Sequence, residues 1–302
     1  MQILFLGTGG SWPCKEFNVP AIAVKLGPEI ILFECGEGTQ RQFMQSIFSF
    51  MQVTKIFISH YHGDHFLGLS GLIQSMNLND RTANLDIYGP RGTIKIVSTL
   101  LSLGYFSPGF KIKLHELNDS EVVNFNMYGI KAFDVDHGIP ALGFVLEEHM
   151  RPGKFNLQKA KSLGIPKGPL YRKIQSGQTI KVGDKTITPD KVLGPPRPGR
   201  KIVYSGDTKP CDAVVKNANN ADVLIHDACL DSSLEAKAAA YGHSTAHQAA
   251  EIAKKAKVKV LFLIHHSPRY KDLSILEEEA KKVFKMSFAA VDFLEYKVKL
   301  LK

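Results

Sequence analysis

The sequence predicts an α/β fold in which apolar strands alternate with amphipathic helices. Short apolar runs recur through the 302 residues, with helical segments between them. Several runs are continuously apolar, which is typical of strands covered on both faces. Hydrophobic residues make up 44% of the chain, enough to bury a full core. Together these observations predict an α/β sandwich.

Eight runs are predicted as strands because each is short, apolar and rich in β-branched or aromatic residues. In chain order they are ILFL (3–6), IAVKL (22–26), IILFE (30–34), KIFIS (55–59), LDIYG (85–89), KIVYS (201–205), DVLIH (222–226) and VLFLI (260–264).

Three segments have helical periodicity: TQRQFMQSIF (39–48), TAHQAAEIAKKA (245–256) and SILEEEAKKVF (274–284). Thr39 is the expected N-cap of the first. Ser244 or Thr245 is expected to cap the second, which is alanine-rich and amphipathic. Ser274 and Glu277 have capping-box spacing at the start of the third.

The N-terminus and the cysteines indicate a cytoplasmic protein. MQILFLGTGG has the pattern of a buried strand ending in glycines, without the basic n-region of a signal peptide. No apolar run reaches the ~18–20 residues of a membrane span. The four cysteines are far apart and include no CxxC, so reduced, mostly structural thiols are expected.

Positive charge is concentrated in one segment. The net charge is +9, but residues 151–201 hold 13 Lys and Arg against two acids, and the remainder is −2. Residues 151–200 also contain 14 Gly and Pro. A linker or a solvated face would explain a milder bias. A block this one-sided favours a protruding insertion with a polyanionic partner.

The stretch SHYHGDH (59–65) follows the apolar run VTKIFI and predicts a metal site. His60 and His62 can converge on one ion, and Asp64 and His65 can turn toward a second. A structural zinc site is not favoured, because such sites are closed and usually contain cysteine.

Three further candidates occupy similar positions. His137 lies in DVDHGIPALG, Asp207 follows the strand KIVYS, and His265 follows the run VLFLI, where His266 competes for the same place. Open α/β sheets bind ligands at the carboxyl ends of their strands. Five histidines and two aspartates there suit two ions ~3.5–4 Å apart with one bridging carboxylate. Asp207 is the expected bridge, since it stands alone between the histidine clusters.

The remaining histidines are interpreted as ordinary core or surface residues, because a lone histidine is more often structural than a ligand. No metal role is expected for His115, His149, His226 and His247.

The HxHxDH motif resembles the signature of the metallo-β-lactamase superfamily, which implies a four-layer αβ/βα sandwich. His62 stands where oxygen-reducing di-iron members carry Glu, which argues against redox chemistry. Further motifs along nearly the whole chain resemble ribonuclease Z, the family of tRNA 3′-end-processing endonucleases. They are FLGTGGSWP (5–13), GEGTQRQ (36–42), DHGIPALGF (136–144), SGDTKPC (205–211), HDACLD (226–231), GHSTAHQAAEIA (242–253) and HHSPRY (265–270).

The resemblance implies a zinc-dependent endoribonuclease that cuts precursor tRNA after the discriminator base. The products would be a tRNA 3′-hydroxyl and a trailer with a 5′-phosphate. It implies two Zn²⁺ per subunit, with Mn²⁺ or Fe²⁺ also compatible. The ions would offset charge at the phosphate and make a hydroxide available near neutral pH.

Residue roles follow from the same resemblance. His60, His62 and His137 are expected at the first ion, and Asp64, His65 and His265 at the second, where the resemblance favours His265 over His266. Asp207 would bind both ions. Asp64 is the expected proton acceptor, and His243 in GHST is the expected proton donor to the leaving 3′-oxygen.

The resemblance also accounts for the basic insertion. It implies one domain over residues 1–302, with a flexible tRNA-binding arm over about 151–177 that contains GIPKGPLYRKIQSG (164–177). Lys167, Arg172 and Lys173 are expected to hold the tRNA duplex. Lys15 and Arg269 are candidates for phosphates near the site. A homodimer is a further expectation.

Two positions depart from the family pattern. Phe17 replaces the arginine of a Lys-x-Arg-Asn element, which puts contacts to the RNA 3′ end and discrimination against CCA in question. Glu34 replaces an aspartate in FECGEG, so any histidine it orients must be held differently.

Two other functions compete with this interpretation. A small-molecule phosphodiesterase, or another hydrolase of the same fold, would have no use for the basic arm. A tRNA-binding scaffold with purely structural metals would bind precursor without cleaving it.

Overall fold

The computed structural model describes residues 1–300 and divides them into two compact units. The first unit comprises Met1–Asn124, Gly129–Leu146 and the chain from Arg200 onward. The second comprises Phe125–Tyr128 and Glu147–Gly199. No helix within residues 1–300 is both long and apolar enough to cross a membrane.

The strands, in chain order, are β1 Gln2–Gly7, β2 Ala21–Leu26, β3 Glu29–Phe33, β4 Val53–Phe57, β5 Leu85–Gly89, β6 Ile112–Glu116, β7 Val122–Asn124, β8 Tyr128–Asp134, β9 Leu142–Glu148, β10 Ile180–Val182, β11 Lys185–Ile187, β12 Lys201–Tyr204, β13 Val223–Asp227, β14 Leu261–Ile264, β15 Ser287–Ala289 and β16 Glu295–Lys297. The helices are α1 Thr39–Gln45, α2 Gly63–Phe66, α3 Leu69–Leu78, α4 Thr93–Leu101, α5 Leu157–Ser162, α6 Pro169–Gln175, α7 Asp212–Ala218, α8 Glu235–Ala240, α9 Ala246–Lys255 and α10 Ser274–Val283.

Two seven-stranded sheets form the centre of the first unit. Their orders are β16-β1-β2-β3-β4-β5-β6 and β15-β14-β13-β12-β9-β8-β7. Pairing is parallel from β3 to β6 and from β12 to β15. Each sheet therefore collects several strand carboxyl ends along one edge, where loops can carry a site.

Aromatic side chains join the two sheets. Phe33 on β3 lies 5.9 Å from Phe144 on β9 and 5.7 Å from Tyr204 on β12, between ring centroids. Phe5 on β1 lies 5.1 Å from Phe262 on β14. These rings fill the inner layer between the sheets, and such pairs add to the stability that apolar burial gives.

Helices cover the outer faces of both sheets. Phe43 of α1, Leu72 of α3 and Val97 of α4 pack in one apolar cluster with the first sheet. Val214 of α7, with residues of α9 and α10 such as Leu276, packs in a second cluster with the other sheet. The α/β class and the four-layer sandwich are thus confirmed.

All eight predicted strands are present, each within two residues of its predicted bounds, as β1–β5 and β12–β14. Four more strands between residues 112 and 148 were not predicted. They are short or alternate apolar with polar residues, as in YGIKAFD of β8. Alternation of this kind is typical of a strand with one solvated face.

The three predicted helices form, but only one predicted cap is confirmed. Thr245 caps α9 in a complete capping box with Gln248. Thr39 is instead the first residue of α1, and its hydroxyl donates to the Gly36 carbonyl at 2.7 Å.

The capping box predicted at the start of α10 was wrong. The N-cap residue is Leu273, and the hydroxyl of Ser274 donates to Asp272 at 2.8 Å. Glu277 accepts a hydrogen bond from the Ala289 backbone at 2.8 Å. Neighbouring residues therefore provide the partners that the helix backbone would have offered.

The second unit contains helices α5 and α6, the hairpin β10–β11 and an apolar cluster of its own. The buried members of that cluster are Ala160, Ile165, Ile174, Ile180, Ile187 and Val192. Within this unit, Arg151 and Arg197 pair as antiparallel backbone, with N–O distances of 2.8 and 2.9 Å. The predicted arm, residues 151–177, lies within this unit, and its extent stays a prediction.

Candidate metal centre

Strand ends of the first unit deliver seven histidine and aspartate side chains to one place. His60, His62, Asp64 and His65 follow β4, with Gly63–Phe66 forming the short helix α2. His137 lies between β8 and β9, and Asp207 and His265 follow β12 and β14. Parallel strands place these loops at the same edge, so residues far apart in sequence converge.

Three histidines form the first group of ligand atoms. His62 Nδ1 lies 3.0 Å from His60 Nε2 and 3.1 Å from His137 Nε2. The three nitrogens lie within 4.8 Å of one another. Their neutral forms offer three lone pairs toward one point, as a tetrahedral or five-coordinate ion requires.

A second group surrounds Asp64. Its Oδ2 lies 3.3 Å from His265 Nε2 and 3.7 Å from His65 Nε2. Asp207 Oδ2 lies between the two groups, 3.2 Å from His65 and 3.1 Å from His265. It also lies 3.8 and 3.9 Å from the Nε2 atoms of the first-group residues His60 and His137.

Backbone and side-chain contacts orient three of these imidazoles. His60 Nδ1 lies 2.9 Å from the Ser59 hydroxyl, and His137 Nδ1 donates to the Gly242 carbonyl at 2.8 Å. The His65 Nδ1 atom lies 3.5 Å from a carboxylate oxygen of Glu34. Such partners fix the tautomer of a ligand histidine and make its other nitrogen a better donor.

Glu34 is buried and has a positive φ of 61°. Its carboxylate accepts hydrogen bonds from the Ser59 backbone at 3.1 Å and the Tyr204 hydroxyl at 2.9 Å. The longer side chain that departs from the family pattern thus reaches His65 and also ties β3 to β4 and β12.

The surroundings lower the pKa values of two histidines and one aspartate of the site. Burial, with the nearby His65, holds the pKa of His60 well below its ordinary value, and burial with His137 lowers the pKa of His62. Burial would raise the pKa of Asp207, but the rings of His265 and His65 hold it well below its usual range. Neutral imidazole and ionised carboxylate are the forms that bind metal.

His65 is the exception. Burial lowers its pKa, but the carboxylates of Asp207 and Glu34 outweigh burial and hold that pKa well above the ordinary value. An ion bound at this position would displace the proton, so we expect metal binding to release protons and weaken at low pH.

Several buried polar atoms of the cluster have no hydrogen-bond partner among residues 1–300. Within residues 1–300, Asp207 Oδ1 and His265 Nδ1 form no hydrogen bond, and the ring nitrogens of His65 have ion-pair contacts with Glu34 and Asp207 in place of hydrogen bonds. A buried polar atom is normally satisfied by a hydrogen bond or an ion. The donor set therefore fits divalent cations.

Of the two adjacent histidines, His265 belongs to a group of potential ligand atoms in residues 1–300, so it stays the predicted ligand. His266 is fully buried, and its Nε2 donates to the Ala290 carbonyl at 3.0 Å. His226 is also buried and contacts the Asp227 carbonyl at 2.7 Å. Neither residue is in any group of potential ligands in residues 1–300.

His243 lies beside the two groups described above, and one of its ring nitrogens is within 4.8 Å of ligand atoms of His137 and Asp207. Its Nδ1 lies 2.9 Å from Asp227 Oδ2, and its ring centroid lies 4.8 Å from that of His265. Burial lowers its pKa, but Asp227 raises it, to a net value of about 9. The imidazole is therefore protonated at neutral pH and can donate a proton.

Asp227 contacts His243 at this site, and the sequence interpretation did not single it out. It ends β13 in the same way that other site residues follow strands, and that position was the available signal. Its Oδ2 also accepts from the Thr208 backbone at 3.1 Å, so the carboxylate that holds His243 is itself fixed.

The predicted RNA contacts lie at three places. Arg269 is exposed in a cavity of about 430 Å³ that His62 and His243 also line. Lys15 is exposed in a neighbouring cavity of about 630 Å³. Lys167, Arg172 and Lys173 are exposed in the second unit.

Phe17 is buried in the core of the first unit. Its ring meets His266 edge-on at 5.9 Å, so it makes an apolar packing contact. The family pattern has an arginine at this position. Phe17 instead packs in the core and supports the loop that precedes β2, so it offers no cation to a ligand.

The four-layer sandwich and its histidine–aspartate centre define a divalent-metal hydrolase of the metallo-β-lactamase class. Sequence profiles agree, since one described as “Beta-lactamase superfamily domain” matches residues 191–266. Another, “Anti-Pycsar protein Apyc1”, matches residues 1–150.

Several similar proteins belong to one family. The chain is 48% identical to a ribonuclease Z from Archaeoglobus fulgidus, covering 98% of this chain and 97% of the relative. It is 44% identical to one from Methanosarcina acetivorans, covering 99% and 98%. The chain belongs to the ribonuclease Z family.

Solved structures agree in fold. The crystal structure of human tRNase Z, short form, has a TM-score of 0.73 at 29% identity and covers 99% of this chain and 100% of that one. A diphosphatase of the PhnP family has a TM-score of 0.63 at 15% identity, covering 99% and 98%, and shares the fold alone.

Gly10 offers a test of how tightly the centre is built. A Cβ at this position would lie 2.4 Å from the His265 ring. We expect Gly10→Ala to push that imidazole out of place and weaken metal binding by about 10–100-fold. Metal content after dialysis against graded chelator measures the effect.

Gly109→Ala is the matched control, since a Cβ there meets only the Asn77 side chain, at 3.0 Å. Wild-type metal retention in Gly10→Ala would show that His265 can move without loss, against the expectation.

Proposed function

We propose that this protein removes the 3′ trailer from precursor tRNA by cutting after the discriminator base. The observation that carries the proposal is the 44–48% identity, over nearly the whole chain, to relatives named ribonuclease Z. The polar centre and the basic second unit supply the two things such a reaction needs, a hydrolytic site and a polyanion-binding surface.

The proposed ligands follow the two groups of atoms. His60, His62 and His137 would hold one ion, and Asp64, His65 and His265 the other, with Asp207 between them. We infer Zn²⁺, two per subunit, because a histidine-rich set with carboxylates suits it, while Mn²⁺ or Fe²⁺ could occupy the same donors. Bound cations would neutralise charge that builds on the phosphate and lower the pKa of water.

Two side chains handle protons in this proposal. Asp64 accepts the proton of the attacking water, and the Ser11 backbone N–H donates to its Oδ2 at 2.7 Å, which fixes the carboxylate. Water adds to phosphorus while the bond to the ribose 3′-oxygen breaks. His243 donates a proton to that oxygen, giving the tRNA 3′-hydroxyl, and the trailer keeps the phosphate at its 5′ end.

Recognition of the tRNA body is assigned to the second unit. Residues 151–201 carry 13 Lys and Arg against two acids, and Lys167, Arg172 and Lys173 are all exposed. A surface of this charge binds RNA phosphates without reading sequence, so affinity should fall steeply with salt.

The proposal also includes a homodimer and a cytoplasmic location. A homodimer would let one subunit present the tRNA to the site of its partner. Analytical ultracentrifugation tests this assembly. The cytoplasmic location stays a prediction.

The function is tested by incubating metal-replete protein with a 3′-extended precursor tRNA and mapping both product ends. We expect one cut after the discriminator base, with a 3′-hydroxyl on the tRNA and a 5′-phosphate on the trailer. His62→Ala should abolish the cut, because it removes a proposed ligand. His247→Ala, a half-exposed histidine outside the centre, should retain it.

The competing hydrolase function makes the opposite prediction. Untouched precursor, together with rapid hydrolysis of a small phosphodiester, would identify a small-substrate enzyme. Precursor that is bound but never cleaved would favour a tRNA-binding scaffold.

A further inference from the structure

We propose that Trp12 and Tyr241 form two stacking platforms for the unpaired bases on either side of the scissile phosphate. Tyr241 takes the upstream base, and Trp12 takes the first base of the trailer. This inference rests on the proposed function and adds the means by which the single-stranded 3′ end is held at the site.

Both rings line the cavity of about 430 Å³ that opens onto the metal centre. Trp12, Tyr241, His62 and His243 all contribute to its wall. Trp12 is 61% exposed and Tyr241 is 66% exposed. A single exposed aromatic residue needs no explanation, but two on the wall of a polar reaction site provide flat apolar surfaces that a planar ligand can cover.

Trp12 is carried by a tightly fixed loop. Ser11, just before it, has a positive φ of 70°, which is unfavourable for a residue with a side chain. Hydrogen bonds hold this conformation, since the Ser11 N–H donates to Asp64 at 2.7 Å and the Trp12 N–H donates to the Gly10 carbonyl at 2.9 Å.

The ends of that loop are fixed as well. The carboxylate of Asp292 accepts from the Thr8 backbone at 3.0 Å and from the Asn18 backbone at 2.8 Å. Because the loop is anchored at both ends and at Asp64, the backbone that carries the indole is held beside the site before substrate arrives. A base that stacks on this ring therefore does not have to order the loop as well.

The backbone that carries Tyr241 is also fixed by hydrogen bonds. It follows α8, and its N–H donates to the Lys237 carbonyl at 3.2 Å. The next residue, Gly242, accepts the hydrogen bond from His137, and the His243 backbone donates to Ala238 at 2.9 Å. The ring therefore lies two residues from the proposed proton donor.

These positions assign the bases to the rings. The upstream nucleotide carries the leaving 3′-oxygen, so its ribose must lie beside His243 and its base nearest Tyr241. The trailer continues from the phosphate toward the remaining ring, Trp12, which neighbours Asp64 through Ser11.

Charge in the same cavity favours a nucleic-acid occupant. Lys237 and Arg269 line it together with the two rings. Grooves for single-stranded nucleic acids combine cations that follow the backbone with aromatic rings that take successive bases. Stacking accepts every base, so cleavage should tolerate any base at both positions.

The test pairs protein variants with abasic substrates. We expect Trp12→Ala and Tyr241→Ala each to lower kcat/KM on intact precursor by about 5–150-fold, the range for one stacked base. Trp12→Phe and Tyr241→Phe should retain most activity, because a ring remains. Tyr105→Ala, a fully exposed tyrosine outside the cavity lining, is the matched control.

Removing a base should reproduce the loss in a matched way. Removing the base at the first trailer position should lower the kcat/KM of the wild type by the same factor as Trp12→Ala does on intact precursor. The same base removal should not lower the kcat/KM of Trp12→Ala any further. Removing the discriminator base should likewise have no further effect in Tyr241→Ala. When the variant and the missing base belong to different proposed pairs, the two losses in free energy should add.

Fluorescence gives an independent readout, since Trp12 is the only tryptophan of the chain. Rapid mixing of active protein with intact precursor should quench the indole emission before cleavage. The substrate that is abasic at the first trailer position should leave the emission unchanged.

Two results would overturn the inference separately from the proposed function. If the wild type cuts precursor and both alanine variants stay within two-fold of it, the rings do not hold bases. Equal abasic penalties in every variant would lead to the same conclusion. If the wild type does not cut precursor, the proposed function fails and the stacking assignment fails with it.

Discussion

Replacing His243 with alanine should lower kcat on precursor tRNA by about 10²–10⁴-fold while metal content stays at the wild-type level. The leaving ribose oxygen is a poor leaving group without a proton, and His243 is the protonated group beside the centre. Asp227, 2.9 Å away, holds the imidazole in position and raises its pKa to about 9. Single-turnover rates with excess enzyme, and metal analysis of the same samples, measure both quantities.

A second substrate separates proton donation from damage to the site. A nitrophenyl phosphodiester has a leaving group that needs no proton, so its hydrolysis should fall far less in His243→Ala. Asp227→Asn keeps the shape of the partner but removes its charge, and it should reduce precursor cleavage by a smaller factor than His243→Ala. Equal losses on both substrates would mean that His243 supports the centre itself and donates no proton.

Removing the basic insertion should abolish precursor cleavage but leave small-substrate hydrolysis intact. The insertion can be removed between Arg151 and Arg197, because the backbones of these two residues form a hydrogen-bonded antiparallel pair. Such pairs have Cα atoms about 5.5 Å apart, which a two-residue Asn-Gly turn can join. Replacing residues 152–196 by Asn-Gly therefore removes nine Lys and Arg and two acids.

The expected loss in precursor affinity is about 10³-fold or more at moderate salt, since several phosphate contacts disappear together. A milder variant tests the charge alone. Combining Lys167→Ala, Arg172→Ala and Lys173→Ala should reduce the slope of log affinity against log salt by about 2–3. Unchanged precursor cleavage after removal of residues 152–196 would contradict arm recognition and favour the small-substrate hydrolase.

Much of this architecture is predictable because its signals are local. Each central strand is a short apolar run, and the proposed ligands His60, Asp207 and His265 follow such runs. The carboxyl ends of strands in a parallel sheet lie along one edge, so residues that follow different strands in sequence come close together in the fold.

Other features depend on tertiary contacts that a single sequence does not encode locally. Nothing near His243 indicates that Asp227 is its partner, because the pair forms only when β13 and the loop after α8 meet. Ser274 has the right spacing for a cap, yet Asp272 takes its hydroxyl. Trp12 and Tyr241 become notable only when both are seen on one cavity.

The centre joins parts of the chain that are made at very different times. Asp64 and His265 lie 3.3 Å apart although 201 positions separate them in sequence. A chain still growing on the ribosome therefore holds six of the seven proposed ligands when synthesis has passed Asp207, and it lacks His265 until the last strands of the second sheet are made. With the proposed ligand set, we expect hydrolytic activity to begin only after His265 has been made and the second sheet has folded. A translation product that stops before His265 would carry the basic segment but would lack one proposed ligand.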